Sequence, residues 1–227
     1  MTKQFSFSTV ENFDEHIDKS IKGYCNLIDD TINISNYFVR DGYYVLDIGS
    51  STGKMLSDMS RENTLNNVKN AKYIGYEIEK NFEGVSGVSK DRGHNLNFKF
   101  GDVLDLGLQG PATFVTSIFT LQFMSYSERQ RMLHMIYNTL EPGGGFISAE
   151  KVFSETARVQ DIKSSLYYQY KALNFETDEI LSKERDLRSM MNLKRESEVI
   201  NDLRDVGFTQ VETFWKNYNF VGFLGIK

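Results

Sequence analysis

The chain reads as a doubly wound α/β fold built on a mostly parallel sheet, and three observations predict it. Short apolar runs alternate with amphipathic stretches along the 227 residues, the pattern of successive β-α-β units with helices on both faces. The first run, YYVLDIGSSTG (Tyr43–Gly53), leaves a strand through two glycines and enters a helix. Such a turn brings backbone amides toward a ligand at the helix N-terminus, beyond the carboxyl ends of the strands. The last stretch, Phe208–Lys227, holds two further apolar runs joined by a tight turn near Asn217–Asn219, a hairpin that closes the sheet antiparallel.

Taken in order, residues 11–38 carry helical apolar spacing, with Ile17, Ile21, Leu27 and Ile28 as buried candidates. The first strand spans 43–48 and its helix 53–66. The second strand, KYIGYEI, ends at Glu77. Residues 79–93 are rich in glycine and charge, so a helix there is short or broken. The third strand is NLNFKF (95–100) and the fourth ATFVTSIF (112–119). A helix over 126–140 opens on a capping box made by Ser125 and Glu128. Its buried face carries Met132, Ile136 and Leu140, and Glu141-Pro142-Gly143-Gly144 stops it before a fifth strand, FISAEKV. Residues 155–206 are polar and helical, with room for two or three helices forming a lid or partner surface. The expected organisation is a single Rossmann-like domain over 1–227, with a helical cap at 1–40 and a helical insertion at 155–206.

Composition narrows the function. Hydrophobic residues make up 40% of the chain, enough for a sizeable core, and the net charge is -5. An acidic chain argues against strong direct nucleic-acid binding. Its one cysteine, Cys25, excludes an intramolecular disulfide and suits a cytoplasmic protein. The N-terminus lacks the apolar core of a signal peptide, and no run is long enough to cross a membrane. His16, His94 and His134 lack metal-ligand spacing, so no metal is expected. No nucleophile elbow or Walker motif occurs. Tyr167, Tyr168 and Tyr170 suit helix packing as well as a substrate cage. A cofactor that carries the chemistry, positioned by the protein, fits this inventory.

The first turn differs from the dinucleotide fingerprint: Ser51 replaces the middle glycine and Asp47 comes first. Asp47-x-Gly49-x-x-x-Gly53 resembles the first motif of class I S-adenosyl-L-methionine (SAM) enzymes, in which the acid and the loop hold the methionine part of SAM. Glu77 closes the adjacent strand, where a carboxylate can accept both ribose hydroxyls. Such an acid would repel the 2′-phosphate of NADP, while plain NAD is disfavoured by Ser51. Asp102 follows the third strand, where it could meet the adenine amino group.

KSIKGYCN (19–26), DIGSSTG (47–53), GDVLD (101–105), FTLQFMSYSERQRML (119–133), LEPGGGFISAEKV (140–152) and FWKNYNF (214–220) together resemble the carboxy-SAM synthase family over nearly the whole chain. The resemblance implies a class I SAM-methyltransferase-like fold, seven strands, a homodimer, and conversion of SAM and prephenate to carboxy-SAM and phenylpyruvate. It also implies that carboxy-SAM then serves a separate enzyme that modifies the tRNA wobble uridine. Prephenate releases carbon dioxide, and the acidified methyl carbon of SAM captures it. The family's ligand residues fall on Tyr24, Gly49, Ser50, Ser51, Glu77, Ile78, Asp102, Val103 and Ile118. Glu77, Ile78 and Ile118 differ from the family's Asp, Asn and Asn. Its carboxylate-binding arginine, aligned without gaps between Glu179-Ile180 and Gly207-Phe208, falls on Glu184, with Arg185 next and Arg188 one turn on. Arg185 is the candidate catalytic residue, with Arg188 as its alternative. Two other readings stand beside this one: a SAM-dependent methyltransferase acting on a small molecule or RNA, and a non-catalytic SAM-binding module.

Overall fold

A computed structural model of the chain describes residues 13–83 and 95–227. His94, the first residues of the expected cap and most of the glycine-rich segment at 79–93 lie outside the described residues.

The strands are β1 (Tyr44–Ile48), β2 (Lys72–Glu77), β3 (Leu96–Phe100), β4 (Ala112–Ile118), β5 (Leu140–Lys151), β6 (Gln210–Asn217) and β7 (Phe220–Ile226). They form one sheet in the order β3-β2-β1-β4-β5-β7-β6. β1 to β5 pair in parallel, and β7 pairs antiparallel with both β5 and β6. This is the expected doubly wound sheet with its terminal hairpin. Chain order reverses between β1 and β4, so the crevice beyond those strands is the switch point where such folds bind ligands.

The helices are α1 (Phe13–Ser20), α2 (Tyr24–Ser35), α3 (Lys54–Leu65), α4 (Val103–Leu106), α5 (Tyr126–Thr139), α6 (Ala157–Lys171), α7 (Thr177–Met190) and α8 (Glu196–Val206). The helical spacing at 11–38 is divided between α1 and α2 by a turn at residues 21–23. Leu56 and Met59 of α3 join Val45, Phe114 and Ile147 in the core on one face of the sheet, with Ile32 and Ile34 of α2 packed against it. Met132, Leu133 and Ile136 of α5 and Val199 and Leu203 of α8 join Leu46, Val115 and Phe146 on the other. The strands read as continuous apolar runs because both faces are covered.

The capping box of α5 forms: Ser125 N donates to Glu128 Oε2 at 2.8 Å, and Glu128 N donates to Ser125 Oγ at 3.4 Å. Strand β5 begins at Leu140, earlier than expected, because Leu140 pairs with Ala112 before the register shifts through the Pro142-Gly143-Gly144 segment. The insertion folds as three helices. Of these, α8 packs beneath the sheet, while α6 and α7 contribute with α1 to the walls of a cavity at the switch point.

Candidate functional site

The cavity measures about 340 Å³, within the range of small-molecule sites. Its floor comes from the loops after β1, β2 and β4, and its roof from α1, α6 and α7.

The loop after β1 is held by the neighbouring strand. Gly49 N and Ser50 N both donate to the Tyr76 carbonyl, at 2.8 and 2.9 Å. Ser51 N donates to Glu77 Oε2 at 2.7 Å. These amides were expected to face a ligand; instead they fasten the turn to β2. Gly49 has φ 79°, and a Cβ there would sit 2.0 Å from Thr120 Oγ1, so the β1 and β4 loops can meet only over a glycine. Gly53, at φ 77°, caps α3 where a Cβ would strike the Phe98 ring. Its role is helix packing, and it does not line the cavity. Ser51 and Phe119, one on each side of the crevice, hold positive φ without being glycine. Such backbone strain gathers at functional sites.

Two carboxylates reach this floor. Asp47 is buried at the end of β1, and its register partner Thr116 donates a hydroxyl to Oδ1 at 2.8 Å. Burial pushes the Asp47 carboxyl up to about 7; the Thr116 bond opposes this and the Glu77 charge adds to it. Glu77 is also buried, accepts from Glu79 N at 2.8 Å as well as Ser51 N, and is raised chiefly by desolvation. Tyr24, Ser50, Ser51, Ile78 and Ile118 join them in the lining. Tyr24 begins an aromatic wall that continues through Phe119, Phe220 and Tyr167.

Besides Gly53, three of the expected residues lie elsewhere. Asp102 caps α4, accepting from Leu104 N at 2.9 Å, and neither it nor Val103 lines the cavity. Arg185 requires a correction. Its side chain is 81% exposed, its nearest acid is Asp186 at 3.9 Å, and within this chain it does not reach the cavity. One helical step turns a side chain by about 100°, and Glu184 takes the inward direction. Arg188 is largely exposed and bonds Glu184 at 3.4 Å.

Sequence reasoning missed a group of basic residues under the roof. Lys151 Nζ bonds Glu184 Oε1 and Oε2 at 3.0 and 3.2 Å. Lys183 Nζ donates to His16 Nε2 at 2.5 Å, and burial beside three lysines lowers the His16 imidazole to about 4. Lys171 is buried with them. No spacing signal joins these residues, because α1, β5, α6 and α7 each contribute one or two. The Lys of AEK and the Gln of FTLQF are the exceptions that a motif reading could have flagged. Gln122 Oε1 accepts from Lys151 N at 2.7 Å, tying the two motifs together.

The floor fits SAM. Ser50 Oγ and Ser51 Oγ are buried without a hydrogen-bond partner among the described residues. Orphaned hydroxyls beside two buried carboxylates suit a ligand that is cationic and rich in hydroxyl and amino groups. No group of metal-ligating side chains occurs among the described residues. No described helix is long and apolar enough to cross a membrane.

Comparison with known proteins agrees. A family model described as a methyltransferase domain matches residues 45–144. The carboxy-S-adenosyl-L-methionine synthase of Staphylococcus epidermidis is 32% identical over 225 residues, covering 98% of this chain and 95% of the relative. That of Nautilia profundicola is 27% identical over 229 residues, covering 99% and 95%. Among solved structures, magnesium protoporphyrin IX methyltransferase from Synechocystis PCC 6803 superposes with a TM-score of 0.61 at 14% identity, covering 96% of this chain and 89% of that one. Human N-acetylserotonin methyltransferase gives 0.58 at 15%, covering 91% and 52%. These structures share the fold. The chain belongs to the carboxy-S-adenosyl-L-methionine synthase family and is a transferase that uses SAM.

Proposed function

We propose that the protein converts SAM and prephenate to carboxy-SAM, phenylpyruvate and water. The observation that carries this reading is the polarity of the cavity. Its floor presents Asp47 and Glu77 to a cation, and its roof carries Lys151, Lys171 and Lys183, of which Lys151 is already paired with Glu184, for an anion. SAM is the cation and prephenate, a dicarboxylate, the anion. SAM would supply an electrophilic sulfonium whose methyl protons are acidic; the chain supplies position, charge and exclusion of water.

Glu77 would take the ribose hydroxyls, Asp47 and the Gly49–Ser51 loop the methionine part, and Tyr24 the cover. Ile78 and Ile118 would line the walls beside the nucleoside. Asp102 and Val103 would be the adenine-side pair, reached from the α4 turn that Asp102 caps. The 340 Å³ cavity under α1, α6 and α7 would keep released carbon dioxide beside the reacting methyl group. The same reading makes the protein a cytoplasmic homodimer whose product feeds wobble-uridine modification of tRNA.

Glu184, standing where a carboxylate-binding arginine is expected, favours a second reading: methyl transfer to a small molecule or RNA. Mass spectrometry after incubation with SAM and prephenate separates the two. Carboxy-SAM supports synthesis. Unchanged SAM and prephenate, with S-adenosylhomocysteine forming once an acceptor is present, supports methyl transfer.

A further inference from the structure

The cations under the roof differ in how they are satisfied. Lys151 is paired with Glu184, and Lys183 with His16. Lys171, from the last turn of α6, is only 3% exposed and lines the cavity, yet its ammonium makes no hydrogen bond to any described residue. It stands 5.2 Å from the centroid of the Tyr167 ring, and Lys151 Nζ stands 5.1 Å from the same ring. A buried ammonium on an aromatic face, with Glu184 and Glu179 acting on it only through space, gains from an incoming anion. Glu184 cannot fill that role fully, because Lys151 and Arg188 both hold it. The wall beside Lys171 is mixed: Tyr167 and Phe175 offer aromatic faces, and His16, Ser20, Glu179 and Lys183 are polar. An ammonium beside aromatic rings, with Lys151 and Lys183 already paired, suits a single carboxylate on a hydrophobic body; a phosphate would call for more donors.

Resting on the reading above, we propose that Lys171 anchors a carboxylate of the second substrate, a small organic acid. The lysine thus does for this chain what no inward-facing arginine of α7 does. Its protonation supports the assignment: burial lowers the Lys171 ammonium to about 8. The groups facing it are Tyr167 on its own helix, Lys151 on β5, Glu179, Lys183 and Glu184 on α7, and His16 on α1. His16, at about 4, stays neutral across pH 7–9. Lys171 is therefore charged below about 8 and holds the acid there, and the hold weakens as pH rises through that value.

The test is calorimetric titration of prephenate into the full-length protein loaded with S-adenosylhomocysteine, which has no methyl group to carboxylate, with SAM affinity measured separately. Lys171→Met keeps the stem and removes the charge. It should weaken prephenate binding about ten-fold or more, the worth of a hydrogen bond to a charged group, and leave SAM affinity unchanged. In the wild-type protein, prephenate affinity should fall about five-fold from pH 8 to pH 9, which tests the assignment even if the variant fails to fold. Equal prephenate affinity in Lys171→Met overturns the proposal. So does an equal loss of SAM affinity, which would assign Lys171 to the methionine carboxylate. A flat wild-type profile, or no prephenate binding at all, also overturns it. Lys171-dependent binding without carboxy-SAM formation would defeat only the proposed reaction; carboxy-SAM formation with unaltered binding in Lys171→Met would defeat only this anchor.

Discussion

Glu150 and Lys151 are consecutive on β5, so they point to opposite faces of the sheet, and each enters a buried cluster of charges. On one face Glu150 receives Arg129 through Nη1 and Nη2 at 2.5 and 2.8 Å. Arg129 Nε also donates to Asp202 of α8, which accepts from Lys194 and Gln130 as well. Every charge there has a partner, and the Arg129 side chain is 2% exposed. On the other face Lys151 pairs with Glu184 in the wall of a cavity, and Lys171 is left without a hydrogen-bond acceptor among the described residues. The closed cluster clamps α5 and α8 to the sheet. The open one holds unbalanced charge against a void. The contrast separates structure from function more cleanly than residue type does, since both clusters contain the same chemistry.

Breaking the closed cluster should have the largest effect. Arg129→Met leaves Glu150 and Asp202 buried against each other and should cost about 3–5 kcal/mol of stability, read by denaturant unfolding. A loss below about 1 kcal/mol would mean that the network is dispensable. Lys151→Met should cost less, about 1.5–3 kcal/mol, because Glu184 keeps Arg188 and faces a cavity that water can enter. Equal losses from the two variants would erase the distinction between the faces.

On the cavity floor, Glu77→Ala should weaken SAM binding about ten-fold or more, since Glu77 also fastens Ser51. Unchanged calorimetric affinity would remove Glu77 from the ribose site. The Asp47 effect is smaller and depends on pH. Its folded pKa is raised to about 7 from 3.8, so the protonated form persists until the pH passes 7. Because SAM is cationic, its affinity should rise as pH increases through 7, with proton release on binding, and Asp47→Asn should flatten the profile. In the protein without ligand the sign is opposite: the stability linked to Asp47 is full below its unfolded value and is lost as pH rises through 7. At the small end, Arg185→Ala should leave SAM affinity unchanged, consistent with its 81% exposed side chain.

The alternation of strands and helices, the capping box at Ser125 and the hairpin around Asn217–Asn219 were all legible, because each rests on local spacing or turn chemistry. That Gly49, Asp47 and Glu77 gather at the crevice beyond the strands was legible for the same reason. The use of the turn's amides was not, because Tyr76 and Glu77 of a different strand capture them. Asp102 shows a competing local rule: an Asp ahead of a short helix caps it. Lys171 and Lys183 sit in polar helices whose sequences read as solvated faces; only the packing of the roof turns them inward. The Glu184–Arg185 ambiguity was a matter of one helical step, which an alignment cannot resolve and a rotation of the side chain does.

The central claim is that the acidic floor and basic roof bring SAM and a carboxylate donor together. It is tested most directly with prephenate carrying an isotopic label in its ring carboxylate, followed by mass spectrometry of the nucleoside products. The account predicts carboxy-SAM that retains the label, together with unlabelled phenylpyruvate. Unmodified SAM beside unreacted prephenate, or carboxy-SAM without the label, would contradict it.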